Sequence, residues 1–164
     1  MKRFARVQMS FDIRSNNARA WAIRVIVSCG AVIVALTMAP AMACTVSGEP
    51  LVFGQIDPLA KQSTDTVASL EVACPILTSY SITISHDGDG QRQMSDGLGN
   101  ALAYGIYTDA TLSNLWGDGT GGTQPVAGEA GPEGTQHEIH GRIPAQPYAV
   151  PGMYSATLFI TVTY

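Results

Sequence analysis

Positive charge is nearly missing from this chain once its first 43 residues are set aside. Lys2, Arg3, Arg6, Arg14, Arg19 and Arg24 all precede Ala43, with Asp12 the one acid among them. Residues 44–164 keep only Lys61, Arg92 and Arg142 against twelve acids, a formal net charge of about −9. Such a surface repels nucleic acid and anionic lipid, so neither is expected as a partner. Cysteine is scarce: Cys29, Cys44 and Cys74. No apolar run reaches the roughly 20 residues of a comfortable bilayer span. No segment after Ala43 carries a 3.6-residue period, which argues against a helical fold.

What is present begins with a leader. Six cations form a basic n-region, and residues 25–38 form an apolar stretch interrupted by Ser28, Gly30 and Thr37. Ala41-Met42-Ala43 then has the small-x-small form of a signal-peptidase site. Residues 1–43 are therefore expected to be a signal peptide outside the fold, cleaved after Ala43, and residues 44–164 to be one exported domain with no membrane span. An uncleaved anchor is the alternative. The n-region is long enough for translation to begin at Met9. Lipidation of Cys44 is disfavoured by Ala41, where a lipobox usually has leucine.

With Cys29 removed, two cysteines remain. A pair in an exported domain reads as a disulfide, here Cys44 with Cys74. The competing readings are two buried thiols or, less simply, a metal held by two cysteines.

The body reads as short strands. Leu51-Val52-Phe53 is a brief apolar run. Ala68, Leu70, Val72 and Cys74 alternate with polar neighbours, as do Tyr80, Ile82 and Ile84, then Leu102, Tyr104 and Ile106. His137, Ile139, Gly141 and Ile143 alternate with Gln136, Glu138, His140 and Arg142. Tyr154, Ala156, Leu158, Ile160, Val162 and Tyr164 form the longest run. Period-2 alternation marks strands with one buried face. Glycine and proline punctuate them, as in a β-sandwich. Residues 117–134 read as one long glycine-rich loop, and loops of that length are often functional.

Catalytic and metal constellations are weak. Asp87-Gly88-Asp89-Gly90 suggests a calcium loop, but the spacing would need glycine and glutamate where Arg92 and Leu98 stand. A plain turn is expected instead. His137 and His140 are three apart, on opposite faces of a strand, so they are not expected to share zinc. His137 is expected half-buried and His140 exposed. No Gly-x-Ser-x-Gly elbow exists, and the spacing of Asp109, Asp118 and Glu138 does not favour a glycosidase carboxylate pair. No metal, cofactor or catalytic residue is expected, and the chain is not read as an enzyme. Trp116 is expected to anchor the core; the alternative is an exposed platform for a surface contact.

Four segments stand in a distinctive order: Tyr104-Gly105-Ile106-Tyr107-Thr108-Asp109-Ala110, Leu115-Trp116-Gly117-Asp118-Gly119-Thr120-Gly121-Gly122-Thr123, His140-Gly141-Arg142-Ile143-Pro144 and Thr161-Val162-Thr163-Tyr164. Over residues 44–164 this pattern resembles the spore coat protein U domain family, pilin-like subunits of archaic chaperone–usher systems. The family often carries cysteines about thirty residues apart near the start of the domain, which agrees with the Cys44–Cys74 pairing. The resemblance implies an all-β, immunoglobulin-like antiparallel sandwich lacking its final strand. It also implies partners: a periplasmic chaperone, an outer-membrane usher and neighbouring pilin subunits that complete the fold by strand addition. Export through the periplasm to a cell-surface or extracellular fibre or coat follows, with roles in adhesion and biofilm.

On this reading Tyr154, Leu158, Ile160, Val162 and Tyr164 line the acceptor groove, with Tyr164 closing the last strand. Cleavage after Ala43 would leave no donor extension ahead of Cys44. A subunit that accepts a strand but donates none is expected at the fibre tip, where residues 117–134 and Trp116 could contact a surface. The contrasting class is a self-contained secreted sandwich that binds a carbohydrate or surface ligand, or, at a further remove, a hydrolase.

Overall fold

The computed structural model describes residues 5–16, 43–86 and 92–164. Among these residues are ten strands and one short 3-10 helix, Pro58–Ala60, joined by loops and turns. The strands are β1 (Ala5–Asn16), β2 (Thr45–Gly48), β3 (Gly54–Ile56), β4 (Thr64–Ala73), β5 (Thr78–Ile84), β6 (Arg92–Ser95), β7 (Ala101–Tyr107), β8 (Val126–Ala130), β9 (Thr135–Ile143) and β10 (Met153–Thr163). Hydrogen bonding runs β2-β4-β9-β7-β6-β10-β1-β3, with β5 pairing both β10 and β8. The result is the expected all-β, immunoglobulin-like sandwich.

Two strands pass from one layer to the other. β7 pairs β6 over its first half and β9 over its second. The first strand of the domain is split: β2 joins β4 in one layer and β3 lies at the far edge of the other.

The alternating residues form the core as their spacing predicts. Leu70, Val72, Ile82, Ile84, Ile106 and Ile139 are among the fully buried side chains. Every second residue of β4, β5 and β10 faces inward because the side-chain period of a strand is two. The turn between β6 and β7 follows from Asp96, whose carboxylate accepts from the Leu98 and Asn100 backbone amides at 2.8 and 3.0 Å. Gly97 and Gly99 supply the positive φ angles this turn needs. The Cys44–Cys74 disulfide is formed, tying the start of the domain to the end of β4.

Several expectations change. Residues 117–134 are not one loop, because β8 lies within them and pairs with β5 over five residues. Backbone pairing with a neighbouring strand outweighs the low β propensity of Val126-Ala-Gly-Glu-Ala. His140 is buried, at 7% exposure. β9 is a central strand, so Val67 of β4 and Tyr107 of β7 flank His140 on both sides. Asp87 to Gly90 lie outside the described residues, as does the apolar stretch 25–38 expected to belong to a leader. Among the described residues no helix is long and apolar enough to cross a membrane.

The largest departure is at the N-terminus. Residues 1–43 were expected to lie outside the fold, yet Ala5–Asn16 forms β1. It pairs with β10 in parallel over eleven consecutive residues, from Arg6 opposite Met153 to Asn16 opposite Thr163. Its other edge pairs antiparallel with β3 through Ala5, Arg6 and Val7.

Candidate functional site

The site of interest is the slot between β3 and β10. These belong to the first and last strands of residues 44–164, and they do not pair with each other; β1 lies between them. The opposite edge of β10 is already used, by β5 over Ile160 to Thr163 and by β6 at Ser155. Ser85 N–H also donates to the Phe159 carbonyl at 3.0 Å. The edge facing β3 is therefore the one that residues 44–164 leave to β1.

The slot has an apolar floor. Tyr154, Leu158, Ile160 and Val162 are at most 2% exposed, and they alternate with the outward Ser155, Thr157, Phe159 and Thr163. Tyr164, half-buried, follows the last register pair. Its hydroxyl is enclosed without a hydrogen-bond partner among the described residues. Leu51, Phe53 and Ile56, leading into and ending β3, are buried too. The register of β1 aligns Val7, Met9, Phe11 and Ile13 with Tyr154, Ala156, Leu158 and Ile160. From Val7 to Arg14 the sequence of β1 alternates apolar and polar without a break. That alternation was the available signal for β1, hidden because basic residues ahead of an apolar stretch read first as a leader.

The remaining conspicuous side chains have structural roles. Trp116 is 1% exposed and its indole N–H donates to the Ile82 carbonyl at 3.2 Å, so it anchors the core and offers no surface platform. Gly117 must be glycine, because a Cβ there would overlap the Thr123 side chain. Gly141 plays a similar part in His140-Gly141-Arg142-Ile143: a Cβ would come within 2.5 Å of Leu51 and 2.8 Å of Phe53. Arg92, a buried cation not anticipated from sequence, donates from Nε to the Ser85 carbonyl at 2.7 Å. From a terminal nitrogen it donates to the Trp116 carbonyl at 2.7 Å. It thus ties the end of β5 to the segment after β7.

The acids and histidines are locally committed. Asp109 accepts from Thr111, Ser113 and Asn114 within its own loop, which holds its carboxyl well below the usual range. Asp118 accepts from Thr120 and pairs with His86 at 2.9 Å, with the same effect. Glu138 pairs with His140 at 3.2 Å. His137 shares a 2.7 Å hydrogen bond with the Tyr80 hydroxyl, and burial pushes its pKa down. Among the described residues no three His, Cys, Asp or Glu side chains form a metal-binding group.

The first and last strands of residues 44–164 thus flank a slot one strand wide, filled here by β1. The chain belongs to the Spore Coat Protein U domain family, whose profile matches residues 31–161. The match begins ahead of Cys44. Domains of this family are structural and pilin-like, and are associated with exported surface structures of the chaperone–usher type. No curated protein matched the chain.

Proposed function

We propose that residues 44–164 are a structural subunit of a secreted surface fibre or coat, completed by strand addition in the slot between β3 and β10. Tyr154, Leu158, Ile160, Val162 and Tyr164 line the acceptor groove. A periplasmic chaperone supplies the strand first, and a neighbouring subunit delivered through the usher replaces it. Main-chain hydrogen bonds along β10 supply affinity, and the alternate side-chain positions supply register.

The observation that supports this reading is the source of β1. All eleven pairs along the free edge of β10 come from residues that precede Cys44. Without them an eleven-residue apolar strand would present unpaired N–H and C=O groups, an arrangement natural sheets avoid by covering or blunting the edge. A self-contained binding module would close that edge from within residues 44–164.

Residues 1–43 act as the signal peptide in this account. Cleavage after Ala43 leaves no donor strand, which places the subunit at the distal tip of its fibre. Immunogold labelling should then mark one fibre end; label along the shaft contradicts the tip position.

The acceptor role is tested with Ile160→Asp, which sets a charge among groove residues. Capture of the exported subunit by its chaperone should fall at least a hundredfold. Capture at the wild-type level would refute the groove assignment.

A further inference from the structure

We propose that the end of the sandwich where β10 begins is a docking surface for the body of the strand-donating chaperone, a partner of net positive charge. The inference rests on the reading of the slot as a strand acceptor, and it names a second surface that the same partner uses.

Three turns meet at this end, and each holds one large apolar side chain out in solvent. Leu59, Leu98 and Tyr148 are 79%, 87% and 96% exposed. Gln55 and Met153 are level across the slot, both opposite Arg6, so Pro58–Ala60 follows β3 past the Met153 end. β6 runs antiparallel to β10 and pairs Ser95 with Ser155, which sets the turn holding Leu98 beside Met153. A Cβ on Gly152 would stand 3.6 Å from the Asp96 Cβ. The loop carrying Tyr148 leads directly into β10. Val150 and Met153, also exposed, carry the apolar surface to the edge of the slot.

These side chains stand on braced backbone. The Asp57 carboxylate accepts from Leu59 N–H at 3.0 Å, and Asp96 accepts from Leu98 N–H at 2.8 Å. The Gln146 side chain accepts from Ala103 N–H at 3.0 Å and donates to the Ala103 carbonyl at 2.8 Å. The Gln146 carbonyl accepts from Ala149 N–H at 3.0 Å, closing the turn that presents Tyr148. A group already held in place loses little freedom on docking, and tyrosine is favoured among interface anchors.

Charge selects the occupant. No charged side chain lies in residues 97–108 or 143–164, although residues 44–164 carry about −9. A contiguous apolar surface depleted of charge marks a protein contact. A second copy of the domain is equally acidic and is repelled on approach, whereas a basic partner is drawn in. Met153 both ends this surface and begins the free edge of β10, so a partner seated here holds its strand at the mouth of the slot. Strand entry then becomes intramolecular.

Competition for a limiting amount of tagged chaperone tests this, with wild type and variant exported together and the bound ratio read by intact mass. The combined variant Leu59→Ser, Leu98→Ser and Tyr148→Ser should lose roughly tenfold or more. Its bound fraction should keep wild-type hydrogen-exchange protection of Thr135–Ile143, since all three side chains lie outside the core. Leu77 is 73% exposed beyond the end of β4, at the opposite end of the sandwich. Leu77→Ser should compete as wild type does. Equal competition by the triple variant, or an equal loss from Leu77→Ser, would overturn the docking surface. So would domain homodimers that vanish in the triple variant, which assign this end to a second copy, or an acidic chaperone on isoelectric focusing. Ile160→Asp reports on the slot separately. Loss in Ile160→Asp with none in the triple variant refutes the docking surface alone; the converse refutes the slot alone.

Discussion

The two layers of this sandwich are closed in different ways. In the layer β2-β4-β9-β7, every pairing lies within residues 44–164, and β4 alone meets β9 over nine residues. The Cys44–Cys74 disulfide staples the same layer. In the layer built on β10, the longest pairing among the described residues is made with a strand that precedes residue 44. Both layers contribute buried apolar residues to the core, among them Leu70, Val72 and Ile139 in the first and Ile82, Ile84 and Ile160 in the second. The difference lies in strand pairing: one layer draws its strands from residues 44–164 alone, and the other includes a strand that precedes them. A hydrophobic core can therefore be encoded within a domain whose sheet is not.

Weakening each layer in turn should separate the two modes of closure. The largest effect is expected from the disulfide. Cys74→Ser should destabilise the exported domain by about 3–4 kcal/mol in the chain-entropy estimate for a loop of this length. Urea denaturation of the exported subunit in complex with its chaperone would report it. Intact mass of the wild-type exported protein should show no thiol that alkylates without reduction.

A smaller effect is expected at Gly141, in the self-closed layer. Gly141→Ala forces a methyl group toward Leu51 and Phe53. It should cost about 1–3 kcal/mol, as overpacking does. Because Leu51 and Phe53 lead into β3, the substitution should also weaken strand binding in the slot. Unchanged denaturation midpoint and unchanged chaperone affinity would show that the side chains shift freely.

The smallest effect is at His137, where β9 meets Tyr80 of β5 across the layers. Burial lowers the folded-state pKa of His137, so the unfolded chain binds its proton more readily below about pH 6.5. Stability is fully present above that pH and falls as the pH drops toward the folded-state value. Urea midpoints at pH 7.5 and 5.5 should differ in the wild type by more than in His137→Gln. An identical difference in both proteins would remove His137 as the cause.

Much of the fold was legible in the sequence because a strand's inward face repeats every two residues. Ala68 to Cys74, Tyr80 to Ile84 and Tyr154 to Val162 all face as their spacing predicted. β8 was hidden because Ala127, Gly128 and Glu129 carry little β propensity of their own, and pairing with β5 imposes the conformation. His140 was misjudged because alternation gives the face of a residue without the neighbours that cover it on a central strand. Arg92 could not be anticipated, since the carbonyls it reaches come together only in the folded chain. The floor of the candidate site was readable as the last alternating strand. Its occupant was not, because the basic residues and the apolar stretch 25–38 read as a leader and masked the alternation of Val7 to Ile13. A start at Met9 would remove the β3 pairs and keep eight of the pairs with β10, so the N-terminal mass of the precursor sets how much of β1 exists.

On the proposed reading, the edge of β10 that faces β3 is closed only by a strand from outside residues 44–164. Hydrogen exchange of the Met153–Thr163 amides tests it most directly, with the Thr135–Ile143 amides as an internal reference. In the full chain and in the chaperone-bound subunit, both strands should be protected alike. In the leaderless subunit without a partner, Met153–Thr163 should exchange at least a hundredfold faster than Thr135–Ile143. Equal protection of the two strands in that partner-free subunit would contradict the account.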